Sequence, residues 1–147
     1  MHIPEPLLPY EKPTLLVVAD GEHALFFSLH QREIQPSGEI TIDYPPKDNL
    51  ERTSTMTPSG MHSAEQSENL GMEKERRFSQ ILAKELLHRL QQHSYEELIL
   101  TAPHEHLNEF TEAFHNDVQK RLVEKIPKLL TKEPLPEILE RIQKTTL

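Results

Sequence analysis

Thr14–Leu29, TLLVVADGEHALFFSL, is the stretch that decides the fold. It opens with Leu15–Val18, a short apolar run rich in β-forming residues that is typical of a buried central strand. Asp20-Gly21 follows, a dipeptide that tolerates the backbone angles of a tight turn. A second apolar run, Ala24–Leu29, resumes after it. The stretch therefore predicts a β-hairpin.

The residues before the hairpin differ in character from those after it. Residues 1–13 contain four prolines, and proline supplies no backbone N–H to a helix or a central strand. We therefore expect residues 1–13 to form an extended lead-in on the surface and residues 14–147 to form a single α/β domain.

A third strand and a long polar segment follow the hairpin. Glu33–Tyr44 predicts a strand around Ile40 and Ile42, with Pro36-Ser37-Gly38 as a turn or a bulge before it. Residues 47–71 are polar and show almost no apolar periodicity. A loop of this length in a small domain is unusual and is typically functional or disordered, so it is the first place to look for function.

The middle of the chain predicts a helix that leads into a second buried strand. Met72–His93 has an apolar stripe at helical spacing, and Glu97–Ala102 is again rich in β-forming residues. A helix followed by a strand predicts that the chain crosses the sheet and pairs with the first strand. The residues of the stripe are Phe78, Ile81, Leu82, Leu86 and Leu90.

The last third of the chain predicts two more helices and a strand. Pro103 marks the start of the first helix, whose buried stripe contains Leu107, Phe110 and Phe114. The alternation in residues 122–126 predicts an edge strand, although continuation of the helix through Leu122 also fits. Residues 135–142 predict a short terminal helix.

The composition of the chain argues against several classes of function and of cellular location. The chain has a net charge of −8 and no cysteine, which argues against non-specific binding of nucleic acid and excludes disulfides and thiolate metal sites. No signal peptide is recognisable, and no apolar run approaches the roughly 20 residues of a membrane span. We therefore expect a cytoplasmic protein without a membrane contact.

One segment nevertheless carries clustered positive charge. Between residues 120 and 132, Glu124 is the single acidic residue. This segment predicts a local basic face for RNA or a protein partner, and a solvated edge with scattered lysines is the alternative. The candidate binding residues are Lys120, Arg121, Lys125, Lys128 and Lys132.

Four segments in this order resemble one known family. VVADGEHALFF, FSQILAKELLHRL, LILTAPHEHLNEF and IPKLLTKEPLPEILERI are similar to the bacterial "protein required for attachment to host cells" family, which resembles the middle domain of archaeal and eukaryotic peptide-chain release factors. The resemblance covers residues 14–142. It implies an α/β domain with a mixed central sheet, expected to have about four to five strands, and helices packed against that sheet.

The sequence departs from the release factors at their catalytic motif. Those proteins carry Gly-Gly-Gln on a mobile loop that enters the peptidyl-transferase centre, and the corresponding segment, 47–71, has no such motif. Peptidyl-tRNA hydrolysis by that device is therefore not expected. The family also tends to have an acidic residue before a Leu-Thr pair near the C-terminus, where this chain has Leu129-Leu130-Thr131.

The best candidates for chemistry are three carboxylates near the ends of predicted strands. Asp20, Glu22 and Asp43 would suit magnesium-assisted phosphodiester hydrolysis. A tight turn, however, favours Asp before Gly for structural reasons alone. His104 and His106 stand at i and i+2, where side chains on a helix diverge, so they predict exposed histidines rather than a metal pair. We therefore expect no metal and no other cofactor.

The leading hypothesis is a non-catalytic accessory factor that associates with the ribosome or with structured RNA, or that binds a protein partner. The resemblance, the long polar loop and the basic segment support it. A metal-dependent hydrolase or nuclease using Asp20, Glu22 and Asp43 is the rival, and a plain protein-interaction module is the third possibility. The oligomeric state does not follow from the sequence.

Overall fold

The computed structural model describes the backbone of residues 2–42 and 63–146, and the side chains of residues 2–42 and 74–144. Asp43 and residues 47–62 of the predicted polar loop lie outside the described residues. In chain order the elements are β1 (Tyr10–Ala19), β2 (His23–Gln31), β3 (Glu33–Thr41), α1 (Ser63–Gln91), β4 (Glu97–Thr101), α2 (His104–Ala113), α3 (Asn116–Arg121), β5 (Leu122–Ile126) and α4 (Leu135–Thr146).

The described residues form a mixed five-stranded sheet in the order β3-β2-β1-β4-β5. β1 and β2 are antiparallel, with Val18 opposite Leu25, which confirms the predicted hairpin. β4 runs parallel to β1, with Leu16 opposite Ile99, which confirms the predicted crossover. β3 is antiparallel to β2, whereas β5 is parallel to β4. The structure thus confirms the α/β fold and its mixed sheet.

Both faces of the sheet are covered, because successive side chains of a strand point to opposite sides. Leu15 and Val17 of β1 pack in a cluster with residues of α1 and α2, where the rings of Phe78 and Phe110 meet edge to face at 5.6 Å. Leu16 packs on the other face in a cluster that includes residues of α4. The hydrophobic run in β1 is continuous because that strand is buried on both sides.

Helix α1 begins earlier than its apolar stripe indicates. Residues 63–71 were expected to belong to the polar loop, but the helix starts at Ser63 rather than Met72. The sequence there, SAEQSENLG, includes Ala, Glu, Gln and Leu, which favour helix by intrinsic propensity. Because these residues form no apolar stripe, periodicity alone misses them.

The N-terminal lead-in does not lie wholly on the surface. Ile3 is fully buried, in the same cluster as residues of α4, and its N–H donates to the carbonyl of Arg32 at 2.6 Å. Moreover, β1 already begins at Tyr10. The surface prediction is therefore wrong for Ile3, because a single apolar residue among prolines gives no periodic signal.

The edge strand β3 carries a bulge opposite β2. Phe26 pairs with Gly38 and Phe27 with Pro36, so Ser37 is the extra residue of a bulge, one of the two predicted alternatives. β3 tolerates Pro36 because it is an edge strand. β5 confirms the strand alternative for residues 122–126.

Among the described helices, none has the length and apolar character that a membrane crossing requires.

Candidate functional site

The candidate site lies where β1 and β4 end. Because these strands are parallel, their carboxyl ends meet at one edge of the sheet, the position at which α/β proteins place ligand-binding groups. The turn after β1 and the first turns of α2 both lie at this edge, and α1 contributes Lys74 and Glu75. We call Asp20, Glu22, Glu75, His106 and Glu109 the carboxyl-edge cluster.

Asp20 stabilises its own turn. Its Oδ1 accepts hydrogen bonds from the backbone N–H of Glu22 at 2.7 Å and of His23 at 2.6 Å. The His23 Nδ1 lies 3.5 Å from the same oxygen. An aspartate that accepts from backbone N–H groups two and three residues on is typical of a tight turn. The Asp20 Oδ1 therefore stabilises the turn, which is the structural role that the Asp-Gly sequence also predicts.

Glu22 is paired across the site with a cation. The Lys74 Nζ donates to its Oε1 at 2.6 Å, which ties the turn after β1 to helix α1. Asp20 and Glu22 thus lie in one turn with separate partners, and Asp43 lies outside the described residues. The structure therefore places Asp20 and Glu22 in the same turn. Asp20 already accepts backbone hydrogen bonds, and Glu22 already forms an ion pair with Lys74.

His106 is largely buried, with 14% of its side chain accessible to solvent. Its ring stacks on Phe110 with 5.8 Å between centroids and an interplanar angle of 17°. On the turn side, a Cβ on Gly21 would lie 3.0 Å from Nε2. The expectation of exposed histidines is therefore wrong for His106, because the helix packs this position against the turn after β1.

Three side chains at this edge lie close enough together to form a candidate metal-binding group. Glu75, His106 and Glu109 each offer one donor atom, and these atoms lie within 4.8 Å of one another. The His106 Nδ1 lies 3.8 Å from the Glu75 Oε1. Sequence reasoning missed this group. The signal available was the i, i+3 spacing of His106 and Glu109, which puts both on one helix face, whereas Glu75 comes from a different helix.

The five cations of the basic segment are all exposed. Lys120 and Arg121 form the last turn of α3, where cations complement the helix dipole. Lys125 lies in β5, and Lys128 and Lys132 lie between β5 and α4. The sequence-predicted basic residues are therefore accessible to solvent, as a phosphate-binding surface requires.

The structure brings two of these cations together in one cleft. A surface cleft of about 840 Å³ is lined by Lys120 and Arg121 together with His93, Tyr95 and His115, among others. Lys125 and Lys128 line two other hollows, of about 350 Å³ and 360 Å³. These four cations of the basic segment are therefore distributed over three hollows instead of filling one pocket.

Tyr95 forms part of the wall of this cleft. It is 3% exposed, and its hydroxyl donates to the carbonyl of Leu86 at 2.8 Å. Burial raises the pKa of Tyr95 to about 12, against the opposing influence of Arg121 and Arg89. The phenol therefore stays neutral at physiological pH and acts as a structural hydrogen-bond donor.

Comparison with known proteins gives one family and several structural relatives. A sequence model of the bacterial archaeo-eukaryotic release factor family 12 matches residues 13–142. No curated protein sequence matches the chain. Among solved structures, the chain is similar to the archaeal translation termination factor aRF1, with a TM-score of 0.48 and 11% sequence identity over 90% of this chain and 38% of that one.

Two further solved structures show a similar degree of likeness. Archaeoglobus fulgidus Pelota has a TM-score of 0.46 and 11% identity over 92% of this chain and 35% of its own. Saccharomyces cerevisiae Dom34, a translation termination-like factor, has a TM-score of 0.46 and 13% identity over 95% of this chain and 38% of its own. The chain thus spans little more than a third of the length of these solved proteins.

Proposed function

Because the chain belongs to the bacterial archaeo-eukaryotic release factor family 12, we propose that it is a translation-associated accessory protein that binds structured RNA of the ribosome and does not itself release peptides. The match of the family model to residues 13–142 is the observation that carries this proposal.

The absence of the catalytic tripeptide from this sequence supports a non-catalytic role. The four glycines are Gly21, Gly38, Gly60 and Gly71, and no two of them are adjacent. The chain therefore has no Gly-Gly-Gln with which to reach a peptidyl-tRNA ester in the manner of the release factors. This is consistent with the proposed binding to the ribosome without hydrolysis.

The basic segment supplies the proposed RNA contact. The segment contains five exposed cations and one acidic residue, Glu124, although the net charge of the whole chain is −8. Exposed lysine and arginine side chains bind phosphates through charge and counterion release. Because the chain as a whole is acidic, we expect other binding orientations to be less favourable than one that presents the basic segment to RNA.

Sedimentation with ribosomes tests this proposal. The protein is run with purified ribosomes on sucrose gradients at about 50 mM and about 200 mM salt, because phosphate contacts weaken steeply over this range. We expect cosedimentation at the lower salt and a marked loss at the higher salt. Protein that stays at the top of both gradients would exclude ribosome association.

Charge-matched variants locate the contact. The triple variant Lys120→Gln/Arg121→Gln/Lys125→Gln should lose most of the cosedimentation. The control, Arg76→Gln/Arg77→Gln/Lys84→Gln, removes the same charge from exposed positions of α1 and should retain it. Equal losses in the two variants would show that binding follows net charge and would reject the basic segment as the contact.

This proposal also accommodates the resemblance to the host-attachment family. A ribosome-associated protein acts in the cytoplasm, so a role in attachment to host cells would be indirect, through synthesis of the proteins that make the contact. A protein partner bound through the same basic segment is the alternative that a negative ribosome experiment would favour.

A further inference from the structure

We propose that Glu75, His106 and Glu109 bind a divalent transition-metal ion, with Zn²⁺ as the ion that fits best. This site goes beyond the proposed RNA binding and uses none of its cations. It also differs from the set Asp20, Glu22 and Asp43, and it revises the expectation that the chain has no metal. The donor atoms come from two helices and lie within 4.8 Å of one another.

The donor set selects the class of metal. One imidazole nitrogen and two carboxylate oxygens suit Zn²⁺, whereas Mg²⁺ prefers oxygen ligands and keeps several waters. Three protein ligands leave at least one coordination position for water, as in open zinc sites. The group therefore has the composition of an open zinc site rather than that of a closed structural one.

The surroundings of His106 are those expected of a metal-binding histidine. Its Nδ1 is buried without a hydrogen-bond partner among the described residues, although a buried polar atom normally has one. Stacking on Phe110 fixes the plane of the ring. The Nε2 lies 3.9 Å from the Glu105 Oε1, and a carboxylate near the second ring nitrogen is the usual neighbour of a metal-binding histidine. A metal at Nδ1 would satisfy the orphaned atom.

The surrounding charges favour a cation. Within the described residues, no lysine or arginine forms an ion pair with Glu75 or Glu109. The nearest cation in sequence, Lys74, is paired with Glu22. Two carboxylates brought close to one imidazole repel each other unless a proton or a metal ion lies between them.

Coordination of one ion by all three side chains requires their donor atoms to move closer together than the 4.8 Å within which they lie. Donors at about 2.1 Å from a tetrahedral metal lie about 3.4 Å apart, and the Nδ1 of His106 is 3.8 Å from the Glu75 carboxylate. The Glu75 side chain is 46% exposed, so it is free to make this adjustment.

Metal titration of the untagged protein tests the site. Thermal unfolding is followed with EDTA, Zn²⁺ or Mg²⁺, and Co²⁺ is used as a spectroscopic probe of coordination. We expect one equivalent of Zn²⁺ to bind, the unfolding temperature to rise with Zn²⁺ and not with Mg²⁺, and Co²⁺ to show the visible absorption of a low-coordinate site. No stoichiometric binding of Zn²⁺ or Co²⁺ would overturn the proposal.

Isosteric variants separate this site from adventitious histidine binding, since the chain has nine histidines. Glu75→Gln and Glu109→Gln should each weaken Zn²⁺ binding at least tenfold, whereas Glu112→Gln, an exposed change on the same helix, should not. His106→Gln should abolish the Co²⁺ spectrum and His104→Gln should preserve it. Unfolding in EDTA checks that each variant folds, and variants that bind as tightly as the wild type would refute the assignment.

Discussion

Gly21 packs directly against the imidazole of His106, so that a Cβ at Gly21 would lie 3.0 Å from Nε2. The His106 ring also stacks on the Phe110 ring, with 5.8 Å between the two centroids. The turn after β1 and the first turns of α2 are therefore in contact through one side chain. A larger side chain at Gly21 would therefore contact the His106 ring.

The close approach at Gly21 predicts the effect of adding a methyl group. Overpacking costs about 1–3 kcal/mol, and the smaller conformational freedom of alanine in the unfolded chain offsets about 0.4–1 kcal/mol of this. We expect Gly21→Ala to lower the free energy of unfolding by about 1 kcal/mol, measured by urea denaturation. In a His106→Ala background the cost should vanish, and an unchanged cost would show that the ring is not the obstacle.

Arg89 joins helix α1 to the edge strand β3. Its guanidinium donates to Ser37 Oγ at 2.7 Å and to the Ser37 carbonyl at 2.8 Å, while Nε donates to Glu85 at 2.8 Å. It also lies 4.4 Å from the centre of the Phe26 ring. A lysine ammonium cannot reproduce this planar arrangement.

We therefore expect Arg89→Lys to lower the free energy of unfolding by about 2 kcal/mol, since several hydrogen bonds at a partly buried site are lost together. Denaturant titration measures this change. The exposed Arg77→Lys serves as the control and should stay within about 0.5 kcal/mol of the wild type. Equal effects of the two substitutions would contradict a structural role for the Arg89 guanidinium.

The raised pKa of Tyr95 predicts a loss of stability at alkaline pH. An unfolded tyrosine releases its proton near pH 10, whereas the folded pKa is about 12. The contribution is therefore complete below pH 10 and is lost as the pH rises from 10 to 12, by on the order of 2 kcal/mol in total. The free energy of unfolding, measured by urea at pH values across this window, should fall along this course.

Tyr95→Phe is the matched control for this pH dependence. Without the hydroxyl it cannot donate to Leu86 and should be about 1 kcal/mol less stable near neutral pH. Its stability should fall less steeply above pH 10, because the titrating group is gone. Parallel losses in the two proteins would assign the alkaline unfolding to other groups.

The sheet followed from the sequence because its signals are local. The run Leu15–Val18 is buried on both faces of the sheet, so it shows as four apolar residues in succession. The start of α1 and the burial of Ile3 did not follow, since neither produces an apolar stripe. The first is indicated only by intrinsic helix propensity. In the second, one side chain fills a gap between elements that are distant in sequence.

The candidate site could be predicted from the sequence only in part, because only some of its contacts are between residues close in the chain. Asp20 was recognisable as a turn residue from the glycine after it, and its two backbone hydrogen bonds bear out the structural alternative. The contact between His106 and Glu75 joins two helices across the end of the sheet. No spacing rule for a single helix contains such a pair, so only the packing of α1 against α2 reveals it.

The buried N-terminal residue gives the last prediction. Ile3 is 0% exposed and packs in the cluster that joins the sheet to α4, whereas Leu8 of the same lead-in is 56% exposed. Truncating a fully buried isoleucine removes its transfer free energy and leaves a cavity. We therefore expect Ile3→Ala to lower the free energy of unfolding by about 3 kcal/mol and Leu8→Ala by no more than about 0.5 kcal/mol. If denaturation gave the two variants the same stability, residues 2–9 would not belong to the cooperative fold.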